Sequence, residues 1–216
     1  MNLNFNIYDS DNESAGYAAA IEEQARPTTS EEGGVHEIPE QQMFYKMLAQ
    51  DCNRILEIGF NTGSSAKIFL ESSPHAKVVS FDLGNHDYID SYKKEIDKEH
   101  PGRHTLIVGD SARTISDYRD ANPGEIFDLI LIDGAHDYGA VKIDFLNCKS
   151  LADEKTVVIL DDVTIFPALT ESFRYLAGPT RVWTEALIAK EIIHLPLAGE
   201  QYVSLGRGMA CFHYKF

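Results

Sequence analysis

Five short apolar runs, each closing on a glycine or an acid, constrain this chain more than any other feature. They are Arg54 to Ile58, Lys77 to Phe81, Thr105 to Val108, Phe127 to Ile132 and Thr156 to Leu160. Stretches of helical character separate them, at roughly 64–72, 88–99, 111–119, 138–150 and 167–177. Near-continuous Val, Ile, Leu and Phe in strands that alternate with helices is the pattern of a parallel sheet covered on both faces. A preceding helix is predicted from Pro39 onward, where Met43, Phe44, Met47 and Leu48 recur at helical spacing. The end of the chain breaks the rhythm, with strand-like Ile192–Leu195, Tyr202–Leu205 and Met209–Tyr214. Gly206-Arg207-Gly208 would turn the last two into a hairpin, which has to be antiparallel. Residues 179–191 fit neither pattern. The expectation is a doubly wound α/β sheet, mostly parallel, with an antiparallel C-terminal strand.

Length and charge narrow the classes of function. A chain of 216 residues suits one domain, and 44% apolar with 25% charged residues is a globular composition. No apolar stretch approaches the ~18 residues of a membrane span, and no positive charge precedes Arg26, so neither a span nor a leader is expected. Cys52, Cys148 and Cys211 are far apart and form no C-x-x-C pair, as in the reduced core of a cytoplasmic protein. The net charge is −15, of which residues 1–40 hold −8 (nine acids against Arg26). Such a field repels phosphate backbones and anionic lipid, which disfavours nucleic-acid and membrane partners. The chain divides into an acidic arm at 1–38, either solvated or a lid, and a domain at 39–216.

The turn after the first run reads Glu57-Ile58-Gly59-Phe60-Asn61-Thr62-Gly63-Ser64-Ser65. Two residues without Cβ atoms let the backbone turn sharply and a ligand approach, and a helix starting near Ser64 would aim free N–H groups at it. The spacing E-x-G-x-x-x-G departs from the dinucleotide fingerprint G-x-G-x-x-G. An acid just before the loop disfavours a pyrophosphate and suits a ligand with a positive amino group. Asp82 ends the second strand, where it can accept hydrogen bonds from a ribose diol, and Asp110-Ser111 follow the third. With Asp133 and Asp161 after the fourth and fifth, five strand ends crowd acids around one crevice.

These runs resemble class I S-adenosylmethionine-dependent methyltransferases over roughly residues 36–216, most of all the catechol and caffeoyl-CoA type and the macrolide-sugar O-methyltransferases. The resemblance is carried by Ile38-Pro39-Glu40-Gln41-Gln42-Met43-Phe44, by Leu56 to Ser65, by Ile132-Asp133-Gly134-Ala135-His136-Asp137-Tyr138 and by Leu160-Asp161-Asp162-Val163. It implies a Rossmann-like seven-stranded sheet and S-adenosyl-L-methionine as cofactor. Glu57, Gly59 and Gly63, with Asn61 and Ser65 of the same loop, would face its methionine part. Asp82 and Leu83 would face the ribose, Asp110 and Ser111 the adenine, and Asp133 also borders the cofactor. Asp153-Glu154-Lys155 stand where the family usually has paired glycines, a distant turn. The resemblance leaves room for a homodimer.

Adjacent parallel strands end about 5 Å apart, so Asp133, Asp161 and Asp162 should converge and repel one another. A divalent cation relieves that repulsion, and oxygen ligands suit Mg²⁺ or another hard cation. In the family resembled, a metal is held by an Asp after the fourth strand and an Asp-Asn or Asp-Asp pair after the fifth, the places of Asp133, Asp161 and Asp162. The alternative is that Asp161 or Asp162 caps a helix or binds loop amides. His136 stands where the catechol-type enzymes carry a catalytic lysine; it is either the general base beside Asp133 or a helix cap or cofactor contact. His36, His86, His194 and His213 lack partners at ligand spacing, and neither G-x-S-x-G nor H-E-x-x-H occurs.

The expected activity is methyl transfer from S-adenosylmethionine to a hydroxyl of a small molecule of natural-product, sugar or phenolic type, assisted by metal. The competing readings are a metal-independent methyltransferase with His136 as base and a non-catalytic binding module of the same fold.

Overall fold

In the computed structural model, which describes residues 39–164, 175–196 and 208–216, β1 (Arg54–Ile58) forms the centre of the sheet. It pairs in parallel with β2 (Lys77–Asp82) on one side and β4 (Leu129–Ile132) on the other. Outward from these lie β3 (His104–Val108), parallel to β2, and β5 (Val157–Val163), parallel to β4. β7 (Gly208–Tyr214) runs antiparallel to β5 and to β6 (Ile192–His194), completing the order β3-β2-β1-β4-β5-β7-β6. The seven-stranded, mostly parallel Rossmann-like sheet with an antiparallel C-terminal strand is therefore present. The reversal of strand order beside β1 opens the crevice in which ligands of such sheets sit.

Six described helices cover the two faces. α1 (Pro39–Ala49), α2 (Ser64–Ser72) and α3 (Ile89–Glu99) contribute Phe44, Tyr45, Phe69 and Ile96 to one core, against Ile55, Val78, Leu129 and Ile159. α4 (Ser111–Ala121), α5 (Tyr138–Lys149) and α6 (Ala177–Ile188) pack Ile115, Phe145 and Val182 on the opposite face, against Leu56, Phe81, Ile130 and Val158. Successive strand residues alternate between faces, which is why the central strands are apolar throughout. Cys52, Cys148 and Cys211 are buried and form no disulfide. Among the described residues no helix is long and apolar enough to cross a membrane.

The sequence patterning and the structure differ in three places. In α1 the buried residues are Gln41, Phe44, Tyr45 and Ala49, while Met43 and Met47 are 60% and 51% exposed. Gln41 and Tyr45, rather than the methionines, turn inward beside Phe44 and Ala49. β5 continues past Leu160 through both acids to Val163, with an irregularity between. Much of the undecided stretch 179–191 is helical, in α6. The arm 1–38, the strand at Tyr202–Leu205, the turn residues Gly206 and Arg207 and most of the helix at 167–177 lie outside the described residues.

Candidate active site

The loop after β1 takes its shape from Gly59, at φ 95°, which L side chains rarely adopt. A Cβ there would lie 2.0 Å from the backbone oxygen of Asp133, so the β1 and β4 ends touch through a residue that can carry no side chain. Asp82 holds the rest of the loop. Its Oδ2 accepts the amides of Phe60 and Asn61 at 2.9 and 3.0 Å, and its Oδ1 accepts that of Gly84 at 2.8 Å. The acid predicted to meet a ribose is thus first a builder of the loop. Asn61 stands at φ 47°, and its Oδ1 accepts from the Tyr88 hydroxyl at 2.7 Å. Gly63 leads into α2, whose first turn has no side-chain cap. A cavity of about 230 Å³ between α2 and α3 is lined by Thr62, Lys67 and Tyr92, and none of the strand-end acids lines it.

Glu57 lies elsewhere than the strand-end pattern suggested. It is the penultimate residue of β1, and alternation turns its side chain under α2 instead of toward the crevice. It is fully buried; Oε2 accepts from Ser65 Oγ at 2.7 Å and Oε1 from Ser80 Oγ at 2.5 Å. Ser80 in turn meets His104 Nε2 at 2.7 Å, and that imidazole stacks on Phe60, centroids 5.2 Å apart. Burial pushes the Glu57 carboxyl up to about 7 and the His104 imidazole down to about 4. Glu57 and Ser65, expected at the methionine end, thus form a buried support beneath the loop.

At the β3 end, Asp110 is exposed and caps α4 by accepting the Ala112 amide at 3.0 Å. Leu83, 37% exposed, offers an apolar surface beside Asp82. Behind Ser111, whose hydroxyl bonds to it, lies Asp144 of α5, a buried acid with an Oδ1 that has no partner. Burial, reinforced by Asp110 and Asp137, raises Asp144 to about 7.

The β4 and β5 ends bring Asp133, His136 and Asp162 together, one ligand atom from each within 4.8 Å of the others. His136 Nε2 lies 2.8 Å from Asp162 Oδ2, and its ring meets Tyr175 edge-on at 5.5 Å. His136 does not cap α5; Asp137 does, accepting the Ala140 amide at 3.1 Å. Asp161, expected as a third metal carboxylate, turns away from this group. Its Oδ2 accepts from Gln41 Nε2 at 2.7 Å and its Oδ1 from the Asp162 amide at 2.9 Å. The two acids part because β5 slips against β7 there: Leu160 pairs with Ala210 but Val163 with Gly208, one extra residue on β5. Asp162 sits in this bulge at φ 57°. Tyr45, beside them, has its hydroxyl pushed well up by burial and then by the charges of Asp161 and Asp133.

Gln41, Ser80, Tyr88, His104 and Asp144 take part in this site without having been singled out from sequence. Gln41 and Asp144 carried one usable signal, a polar residue on the buried stripe of a helix. Ser80 and His104 carried none, since a hydroxyl or imidazole within a strand is ordinary.

Comparisons with known proteins bear on the family and the fold. A family model described as a methyltransferase domain matches residues 56–163, half of the chain. The structure resembles the O-methyltransferase of Bacillus cereus in complex with SAH, 18% identical over 98% of this chain and 94% of that one, with a TM-score of 0.66. It also resembles the TDP-rhamnose 3′-O-methyltransferase of calicheamicin biosynthesis, 16% identical over 100% of both chains, TM-score 0.62. A SAH-bound methyltransferase of Podospora anserina is 20% identical over 100% of this chain and 99% of that one, TM-score 0.59. At these identities the likeness is one of fold. No curated protein matches the chain by sequence.

Proposed function

The chain belongs to the methyltransferase-domain family, and on that premise we propose that it moves a methyl group from S-adenosylmethionine to a hydroxyl of a small molecule, with a divalent cation at Asp133, Asp162 and His136. The observation that carries this reading is the contact of two devices. The Gly59 loop presses on the backbone of Asp133, the residue that also joins His136 and Asp162. A ligand seated on the loop therefore lies next to an acid–imidazole cluster.

The sulfonium donor supplies a methyl group that needs only an aligned nucleophile, so the chain has to position and deprotonate one. Asp82 stiffens the loop through the Phe60 and Asn61 amides, and the open first turn of α2 directs N–H groups toward a ligand carboxylate. Asp110 and Ser111 border the nucleobase end, and Leu83 offers it an apolar face. At the reacting end, a His136 Nε2–H donated to Asp162 leaves Nδ1 as the atom that takes the hydroxyl proton.

The residues present fit a cation. Asp133, Asp162 and His136 each offer a ligand atom within 4.8 Å of the others, two carboxylates and an imidazole. Asp133 and Asp162 would hold the ion, with His136 as third ligand or as the base beside it. Two carboxylate oxygens suit Mg²⁺; an imidazole added to them suits Mn²⁺ as well. Such an ion supplies charge that favours loss of the acceptor's proton. A net charge of −15 argues against polyanionic acceptors.

The 2.8 Å approach of His136 to Asp162 also favours a second reading, in which the pair works as a base dyad without metal. One set of measurements separates the readings. Calorimetry should detect SAH binding in wild type and in His136→Gln. Turnover on a panel of phenols and sugars should disappear in His136→Gln and in Asp162→Asn, and in EDTA, with recovery on adding Mg²⁺ or Mn²⁺. Full turnover in EDTA would select the dyad. Tight SAH binding without turnover on any acceptor would select a binding module, and absence of SAH binding would defeat the proposal altogether.

A further inference from the structure

We propose that Gln41 is a positioning residue for the His136–Asp162 pair, acting from α1 through Asp161. The inference rests on reading that pair as the reacting end of the crevice. Gln41 is 2% exposed, and its one Nε2 serves two acceptors, Asp161 Oδ2 at 2.7 Å and Tyr45 Oη at 3.0 Å. A leucine would fill the same space with no polar group to satisfy, so a buried amide here has its use in what it holds.

What it holds is one end of a short relay. Asp161 lies 120 residues further along the chain, and its other oxygen accepts the amide of Asp162 at 2.9 Å. The Asp161 carboxylate is thereby clamped between helix α1 and the next peptide of its own strand. That peptide leads into the bulge, where Asp162 adopts φ 57°, a conformation that non-glycine residues keep only when their surroundings impose it. The bulge re-aims the Asp162 carboxylate onto His136 Nε2 at 2.8 Å. Loss of the Gln41 donor removes the α1 side of this clamp and loosens the carboxylate's hold on the amide that fixes the bulge. The first described helix, which adds no ligand atom to the Asp133–His136–Asp162 group, thus sets the direction of its most buried member.

The test uses the full chain with ¹⁵N-labelled histidine, in wild type, Gln41→Leu and Asp161→Asn. His136 is assigned by the loss of its signals in His136→Asn, and Asp162→Asn supplies the spectrum of an unpaired ring. The expected result is that the His136 Nε2 resonance in Gln41→Leu moves toward its position in Asp162→Asn, while SAH affinity stays within about two-fold of wild type. Where the chain turns over, kcat should fall about ten-fold with KM for the donor unchanged, the usual scale for a group that orients a site residue. Asp161→Asn keeps the shape of the acid but cannot hold both donors at once, and it should shift the same resonance even if Gln41→Leu does not fold. An unmoved His136 resonance and wild-type kcat in either folded variant would overturn the proposal, and so would a fall in melting temperature alone. If Asp162→Asn itself leaves His136 unmoved, the pairing is absent and the relay falls with it. Failure of SAH to bind would instead strike the methyltransferase reading and leave the resonance test in force.

Discussion

The Ser80 hydroxyl lies 2.5 Å from Glu57 Oε1, and Glu57 is fully buried with no cation among its hydrogen-bond partners. Burial lifts this carboxyl from 4.5 to about 7, against the smaller opposing effect of the Ser80 and Ser65 hydrogen bonds. A folded-state pKa above the unfolded one means that the native state binds the extra proton. Glu57 therefore stabilises fully below pH 4.5, and that stability is lost as pH rises through 7. Between pH 5 and pH 8 the loss is roughly 2 to 3 kcal/mol from this one group. Glu57→Gln keeps an amide in place of the neutral acid, so its urea-denaturation stability should fall by that much less over the same interval. Parallel profiles for the two proteins would show that Glu57 does not titrate there.

His104, at the far end of the same chain of hydrogen bonds, works in the opposite sense. Desolvation, then the charge of Lys93, holds its imidazole down at about 4. Its contribution is present above the unfolded value near 6.5 and is lost as pH falls toward 4. His104→Gln keeps a side-chain donor for Ser80 but removes the titration. The variant should lose less stability than wild type between pH 6.5 and pH 4, with little change in slope above pH 7. Acid unfolding at an unchanged midpoint would contradict this.

How far the site could be read in advance depended on what each residue's neighbours in sequence reveal. The strand ends were legible because buried parallel strands have to be apolar, and an acid closing such a run stands out, as at Asp82 and Asp133. Where a side chain points from the strand end was not legible. Glu57 looked like a rim acid and is turned under α2 by the alternation of its strand. Asp161 and Asp162 looked equivalent, and only a one-residue slip against β7 separates them. An aspartate at positive φ leaves no mark in the sequence. In α1 the methionines drew attention away from Gln41, whose partner is 120 residues distant. The antiparallel end of the sheet was legible from short connections, though the strand proposed at Tyr202–Leu205 lies outside the described residues.

Asp82 makes a sharper prediction about the loop. Its Oδ2 takes two successive amides, those of Phe60 and Asn61. Removing the carboxylate in Asp82→Ala leaves these partly buried donors to water or to strain, at about 1 kcal/mol or more each. SAH affinity should fall at least ~30-fold by calorimetry, the equivalent of about 2 kcal/mol. Asp82→Asn, which keeps one oxygen, should lose less than the alanine variant. Equal affinity in Asp82→Ala and wild type would mean that the loop forms without this acid.

Gly178 tests the other side of the crevice. It sits near the start of α6, and a Cβ on it would come within 2.1 Å of the His136 carbonyl oxygen and 2.8 Å of the Tyr138 amide nitrogen. Both neighbours are backbone, so no rotamer change can relieve the overlap. Either α6 has to withdraw from the sheet or the segment from His136 to Tyr138 has to shift. Gly178→Ala should then destabilise by about 1 to 3 kcal/mol, as overpacking does elsewhere, despite alanine's better helix propensity. The neighbouring Ala177 is exposed, and Ala177→Ser should stay within about 0.5 kcal/mol of wild type in the same denaturation experiment. Because the segment that must shift includes His136, turnover in Gly178→Ala should drop further than SAH affinity, which depends on the Gly59 loop. A variant as stable and as active as wild type would show that α6 does not press on the His136 backbone.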